Sequence, residues 1–460
     1  MDTKHFNHFK NIVGKENIYE DKAHLIAYSY DATREHFEPD AVLFPRHEQD
    51  VSDILKYCNE NQIIIVPRGA GSGFTGGAIP SEGGVVLAFE RHMNKLLEID
   101  MKNMVAVVQP GLINMDLQRA VEEVGLFYPP DPASQDYSTI GGNVNENAGG
   151  MRAAKYGITK DYVMAIRAVL PNGDIIKAGK RTIKDVAGYN ITGILIASEG
   201  TLAVTTEVTL KLLAKPKMTK TAMGIFDSVN KAMEAVYKTM AGGVTPVAME
   251  FLDNLTIRAV EQKYKKGLPI DAGAILVTDV DGNLEMDLDF QLDLIEKIFK
   301  ENGCIEFRRA KSDEEAADLW FARRNASQCL SVYGSKKLNE DVTVPRAVLP
   351  ELLTAFNAIA KKYNINIPCF GHTGDGNVHT NVMVDGSDPE QVKIAYQAIE
   401  EVFQATIDLG GTLSGEHGIG IAKAPYMSMA FTDEEMNLFQ TIKQAFDPNN
   451  ILNPHKMGLK

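Results

Sequence analysis

The sequence predicts an α+β protein of two domains. At 460 residues the chain is long for a single hydrophobic core. β-branched runs alternate with segments whose apolar residues recur at helical spacing. A composition shift falls near Ala214–Thr219, where KPKMTK reads as a linker.

The elements follow in order. Residues 1–37 read as short helices. From Glu48 to Asn61, Val51, Ile54, Leu55 and Cys58 lie on one face of a helix. Gln62–Pro67 is a β-branched run and hence a strand; a glycine-dense loop, RGAGSGFTGGAIPSEGG, leads to the strand VVLAF. MVAVVQPG gives another strand, Asn114–Val124 a helix, and residues 163–212 strands and turns. The segment 129–157, rich in Pro, Gly and Asn, reads as an ordered functional loop. Beyond the linker, GAILVTDV is a strand before the helix LEMDLDFQLDLIEKIF, and the last forty residues are mostly helical.

Composition narrows the function. Hydrophobic residues at 44% and charged residues at 23% are ordinary for a globular protein. A net charge of −14 disfavours nucleic acid and anionic lipid as partners. It also requires a carboxylate substrate to be met by local Arg or metal charge. Cys58, Cys304, Cys329 and Cys369 are scattered without a CxxC pair, which argues against an iron–sulfur cluster or zinc ribbon and for a reduced, cytoplasmic setting. The N-terminal stretch lacks the apolar core of a signal peptide, and no apolar run is long enough for a membrane span.

Gly71-Ser72-Gly73-Phe74-Thr75-Gly76 matches GxGxxG, but Gly77, Pro80, Gly83 and Gly84 follow, so no helix can start there and a dinucleotide-binding βαβ unit is excluded. Arg68 and the successive glycines leave two readings: an anion-binding nest or a flexible turn.

The histidines are unevenly placed. None falls between His92 and His372; then GHTGDGNVH carries His372 and His379, and SGEHGIG carries Glu416 and His417. In a strand over Val378–Val384, His379 and Asn381 share a face. Two imidazoles and a carboxylate fit a first-row divalent ion with open positions; three unrelated hydrogen-bonded histidines fit the spacing too. Asp375, between glycines, reads as turn chemistry or as a residue that orients a ligand, in preference to being a ligand itself. In LWFARRNA, Arg323 and Arg324 on a helix are either carboxylate donors or solvated charges.

The chain resembles the FAD-linked oxidases that include vanillyl-alcohol oxidase. The resemblance runs through PRGAGSGFTGG, Pro129-Pro130-Asp131-Pro132, TIGGNVNENAGG, Tyr156-Gly157, SEGTL and LNP. The nearest subgroup is that of D-lactate dehydrogenases, glycolate oxidase flavin subunits and D-2-hydroxyglutarate dehydrogenases. The resemblance implies an α+β fold with a two-subdomain FAD-binding domain, an α+β cap domain and a C-terminal helical return. On this chain that gives an N-terminal segment 1–37, an FAD-binding domain 38–217, a cap domain 218–421 bearing the metal site, and a C-terminal segment 422–460.

The resemblance further implies roles for single residues. Arg68, Gly69, Ala70, Gly71, Ser72 and Gly73 contact the pyrophosphate. Pro132, Thr139, Gly142, Asn143 and Gly149 line the flavin, Glu199 lies near the nucleotide end, and Asn453 returns to the flavin. The glycine loop has no His or Cys, so FAD is expected to be non-covalent. GHTGDGNVH and SGEHGIG resemble the signature motifs of metal-dependent D-2-hydroxy acid dehydrogenases. They imply His372, His379 and Glu416 as ligands to Zn, Mn or Fe, His417 as general base, Arg323 as carboxylate clamp and Asn381 as a substrate contact. Where the hydroxyglutarate enzymes carry a Lys, this chain has Asn339, with Lys337 nearby, which favours D-lactate or glycolate. The expected electron acceptor is a partner subunit, an electron-transfer flavoprotein or a quinone, with any membrane association through partner subunits. The alternatives are the flavin-carrying subunit of a larger glycolate oxidase or electron-transfer complex, a D-2-hydroxyglutarate dehydrogenase, a metal-free alcohol oxidase of the same fold, and a hydrolase without flavin.

Overall fold

Apolar runs become central strands. Val85–Ala88 is buried along its whole length and pairs in parallel with Ala41–Leu43 on one side and Ile65–Arg68 on the other, as a strand covered on both faces requires. Ile18–Tyr19 adds an antiparallel edge, giving the order Ile18–Tyr19, Ala41–Leu43, Val85–Ala88, Ile65–Arg68. The helix Glu48–Asn61 packs Val51, Ile54, Leu55 and Cys58 against this sheet, beside Phe9 and Val13 of the helix Thr3–Val13. The first residues therefore mix helix with a strand that the sequence reading overlooked.

The computed structural model describes all 460 residues. The chain divides into two compact units: Met1–Gly149, Ile158–Lys215 and Glu416–Lys460 form the first, and Gly150–Gly157 and Pro216–Gly415 the second.

The first unit also holds a five-stranded antiparallel sheet, ordered Leu96–Asp100, Val105–Val108, Val204–Lys211, Val163–Val169, Ile175–Gly179. Within 163–212, expected as strands and turns, a short helix Ile191–Leu195 intervenes, capped by the Asn190 side chain on Gly193 N at 2.9 Å. The C-terminal return is a helix, Asp433–Phe446, followed by an extended stretch that joins the edge of Ile65–Arg68. Ile65 N donates to Ile451 O and Asn453 N to Ile65 O, both at 2.8 Å.

The second unit is built on a seven-stranded antiparallel sheet, ordered Cys304–Arg309, Met218–Phe226, Ala274–Gly282, Ala248–Asp253, Cys369–His372, Asn377–Val384, Lys336–Thr343. Helices Glu285–Glu301 and Asp313–Cys329 lie where the apolar spacing and the LWFARRNA segment placed them. Gly150–Gly157 is anchored to the sheet because Tyr156 Oη donates to Asp281 Oδ2 at 2.6 Å and Lys155 pairs with the same carboxylate.

Candidate active site

In the first unit a cleft opens at the end of the strand Ile65–Arg68. No helix follows the glycines; the loop runs to Val85. The cleft is shaped by missing side chains. A Cβ on Gly69 would collide with Thr139 Oγ1, and one on Gly77 would stand 2.7 Å from Glu146 Oε1. Gly71 has φ +67, so only glycine adopts this turn without strain. Thr139 caps the helix Ile140–Glu146 through Gly142 N at 3.3 Å.

Of the sequence-predicted cofactor residues, Arg68, Gly69, Thr139, Gly142 and Glu199 line this cleft. Arg68 is buried, and its guanidinium donates to Tyr30 O at 2.7 Å and Ala78 O at 3.1 Å, so it ties down the loop from inside. Burial pushes this guanidinium below its ordinary pKa. Ala70, Ser72 and Gly73 continue the loop, with Gly73 O accepting from Ala32 N at 3.1 Å. Pro132 is buried, and its carbonyl accepts from Gln135 N at 2.8 Å. Asn143 points into packed protein, donating to Asn114 Oδ1 at 3.0 Å. A Cβ on Gly149 would stand 2.9 Å from Glu416 Oε2, so glycine there admits the acid. Asn453 Nδ2 donates to Gly77 O at 2.8 Å and Glu199 O at 2.7 Å, stitching the C-terminus to the cleft wall. In the same unit the His417 ring stacks on Phe74 at 5.1 Å, and Thr75 Oγ1 donates to His417 O at 3.2 Å.

In the second unit, polar groups converge on the strands Cys369–His372 and Asn377–Val384. Every residue of the latter is buried, so the His379–Asn381 face is covered as well as the Val face. His379 Nε2 and His372 Nε2 face each other at 3.2 Å. His372 Nδ1 meets Glu250 Oε1 at 2.6 Å, and Arg323 Nε donates to Glu250 Oε2 at 2.6 Å. Burial alone would raise the Glu250 carboxyl; the charges of His372 and Arg323 outweigh it and hold the group below its ordinary pKa. The structure also separates the two arginines: Arg323 lies over Phe370 at 4.9 Å, whereas Arg324 is exposed. Asn339 pairs in register with Asn381 and donates to its Oδ1 at 2.7 Å, while Lys337 Nζ reaches Ser327 Oγ at 2.7 Å. Asp375 accepts Asn377 N at 3.2 Å, the turn bond expected of it.

Sequence reasoning missed Glu250 and Asp341. Glu250 is an acid inside the apolar strand Ala248–Asp253, which is a readable signal because such a group needs buried partners. Asp341, fully buried, is the cross-strand partner of His379 and accepts Gly415 N at 2.9 Å, next to Glu416.

Residues 39–179 match the family described as FAD binding domain, and residues 215–457 match FAD linked oxidases, C-terminal domain. The glycolate oxidase subunit GlcD of Bacillus subtilis (strain 168) is 45% identical over 450 residues, 98% of this chain and 95% of that protein. A D-lactate dehydrogenase of Anaerostipes hadrus is 34% identical over 462 residues, again 98% and 95%. Among solved structures, p-cresol methylhydroxylase with substrate bound superposes with a TM-score of 0.83 over 99% of this chain and 96% of that one, at 20% identity, a likeness of fold. No helix is long and apolar enough to cross a membrane.

Proposed function

This chain belongs to the FAD-linked oxidase family, and on that premise we propose that it oxidises a small D-2-hydroxy acid, D-lactate or glycolate, to the 2-oxo acid with non-covalent FAD and a divalent metal ion. The observation that carries the metal is the facing pair of buried Nε2 atoms on His372 and His379, with His372 Nδ1 held by Glu250. A histidine whose second nitrogen is fixed by a carboxylate is the usual arrangement around a metal. Glu416, the residue after the anchored Gly415, supplies the third ligand in this reading. The glycine-walled cleft in the first unit supports the cofactor, and the absence of His and Cys from its loop supports non-covalent binding.

When bound, FAD supplies a hydride acceptor and the metal a Lewis acid for the substrate hydroxyl. The chain's own residues do the rest. Arg323 spends Nε on Glu250, leaving its terminal nitrogens to grip the substrate carboxylate as a fork. Asn381 contacts the substrate from the His379 face. His417 takes the hydroxyl proton as general base, work that a positioned imidazole nitrogen does. Asn339 opposite Asn381 leaves that place without the positive charge a second carboxylate requires, which favours lactate or glycolate over hydroxyglutarate.

The names of the relatives, a D-lactate dehydrogenase and a glycolate oxidase subunit, support the substrate class. The word subunit also supports a second reading, in which electrons leave to a partner chain rather than to an electron-transfer flavoprotein or a quinone. Elemental analysis with steady-state assay against an artificial acceptor tests the proposal. The expected result is about one Zn, Mn or Fe per chain, with turnover of D-lactate or glycolate that ends on chelation and returns with metal. Full turnover in metal-free protein contradicts the metal assignment. Turnover only after a partner chain is added favours the second reading.

A further inference from the structure

The chain crosses from the second unit to the first between Gly415 and Glu416. A buried carboxylate grips the backbone on each side of that step. On the near side, Asp341 accepts Ser414 Oγ at 3.0 Å and Gly415 N at 2.9 Å. On the far side, Glu199 accepts Ile419 N through Oε1 and Gly420 N through Oε2, both at 2.7 Å. We propose that Asp341 and Glu199 are positioning residues that clamp the segment 414–420 and thereby aim Glu416 and His417. The inference rests on the reading of those two residues as metal ligand and base.

Left to itself, this segment would not hold an aim. It has no regular helix or strand, and Gly418 and Gly420 sit at φ +83 and +53, where glycine's freedom is greatest. A base displaced by about 1 Å loses about 10²-fold in rate, so the aim must come from outside the segment. The clamps are built for rigidity. Asp341 is fully buried and Glu199 is 5% exposed. Glu199 itself adopts φ +50, a strained backbone for a side-chain-bearing residue. Burial raises the Glu199 carboxyl above its ordinary pKa, and the two amides together with the buried Lys423 and Lys456 oppose that rise only in part. Thr75 adds a third hold: its carbonyl accepts Ile421 N at 2.8 Å and Ala422 N at 3.0 Å. Each clamp also belongs to a reaction surface. Asp341 is the register partner of His379, and Glu199 is a wall of the cofactor cleft. The residue assigned to the nucleotide by resemblance thus has a second task on the catalytic segment.

Amide hydrogen exchange on the purified protein, run beside steady-state kinetics, tests the clamps. In E199Q one of the two N–H groups loses its acceptor. Exchange at Ile419 or Gly420 should quicken about tenfold, as expected for loss of a buried hydrogen bond. The strand Val85–Ala88 should stay protected and flavin absorbance should be retained. kcat should fall about 10²-fold while KM moves only a few-fold, and E199D, which keeps both carboxyl oxygens, should recover part of the loss. D341N should act likewise at Gly415 and carries the test if E199Q does not fold. Unchanged exchange at these amides, or quickened exchange with unchanged kcat, overturns the proposal. H417A in the same assay separates the two readings. If H417A retains kcat, the base assignment fails. If H417A is inactive while E199Q keeps both kcat and amide protection, the clamp fails and the base stands.

Discussion

The first unit shapes its cleft by omission: Gly69 and Gly77 leave room that a single methyl would fill, and Thr139 and Glu146 form the walls behind them. The second unit shapes its site by inclusion. It buries two imidazoles and a carboxylate and joins them to a partly exposed guanidinium in one hydrogen-bonded chain, Arg323–Glu250–His372–His379. A cleft made of backbone takes a large ligand whose phosphates need N–H groups and close approach. A site made of buried ionisable groups invests in pKa and geometry at a few atoms. The two should therefore fail separately, and the variants below ask whether they do.

The largest effect belongs to His379. Removing it takes one imidazole from the pair, and H379A should lose bound metal and about 10³-fold or more of flavin reduction by substrate, while the protein stays yellow. Stopped-flow absorbance with elemental analysis reads both. Loss of flavin in H379A would show the two sites to be one. The converse variant is G69V. Its branched side chain enters the Thr139 wall, so the purified protein should be colourless with its metal content unchanged. E250Q comes next. It keeps the shape but weakens the hold on His372 and Arg323, and metal affinity should fall about 10- to 100-fold, measured by competition with a chelator.

The last expected effect concerns stability and leaves both sites in place. Lys456 is buried and donates to Ile79 O at 2.8 Å, and burial lowers its pKa from 10.5 to about 8. The folded chain therefore releases this proton earlier than the unfolded chain. Between about pH 8 and 10.5 the unfolded state binds more protons, so stability rises with pH across that window and is flat in this group below it. K456M should remove the rise, at most about 3 kcal/mol, as measured by denaturant unfolding at several pH values. A rise that persists in K456M assigns it to another group.

Much of this was legible in the sequence because periodicity and glycine carry local information. The helix over Glu48–Asn61 has the predicted bounds, and the loop after Arg68 has no helix because Pro80 and the glycines forbid one. Two other features are set by distant partners. Ile18–Tyr19 is a strand only because Ala41–Leu43 offers it an edge, and two apolar residues have no period to read. Asn143 donates its amide to Asn114 Oδ1, a partner 29 positions away that the TIGGNVNENAGG motif does not reveal. His372, His379 and Glu416 stood out as residue types, but Glu250 and Asp341, which hold them or their neighbours, come from strands far away in sequence. No local pattern marks them beyond an acid within an apolar run.

The most direct test of the central claim is an anaerobic flavin spectrum of the purified protein, titrated in turn with D-lactate, L-lactate, glycolate and D-2-hydroxyglutarate, before and after chelation. The account predicts that D-lactate or glycolate bleaches the flavin bands, that L-lactate and D-2-hydroxyglutarate do not, and that chelation abolishes the bleaching without releasing the flavin. A flavin bleached equally well after complete removal of metal, or by none of these acids, would contradict it.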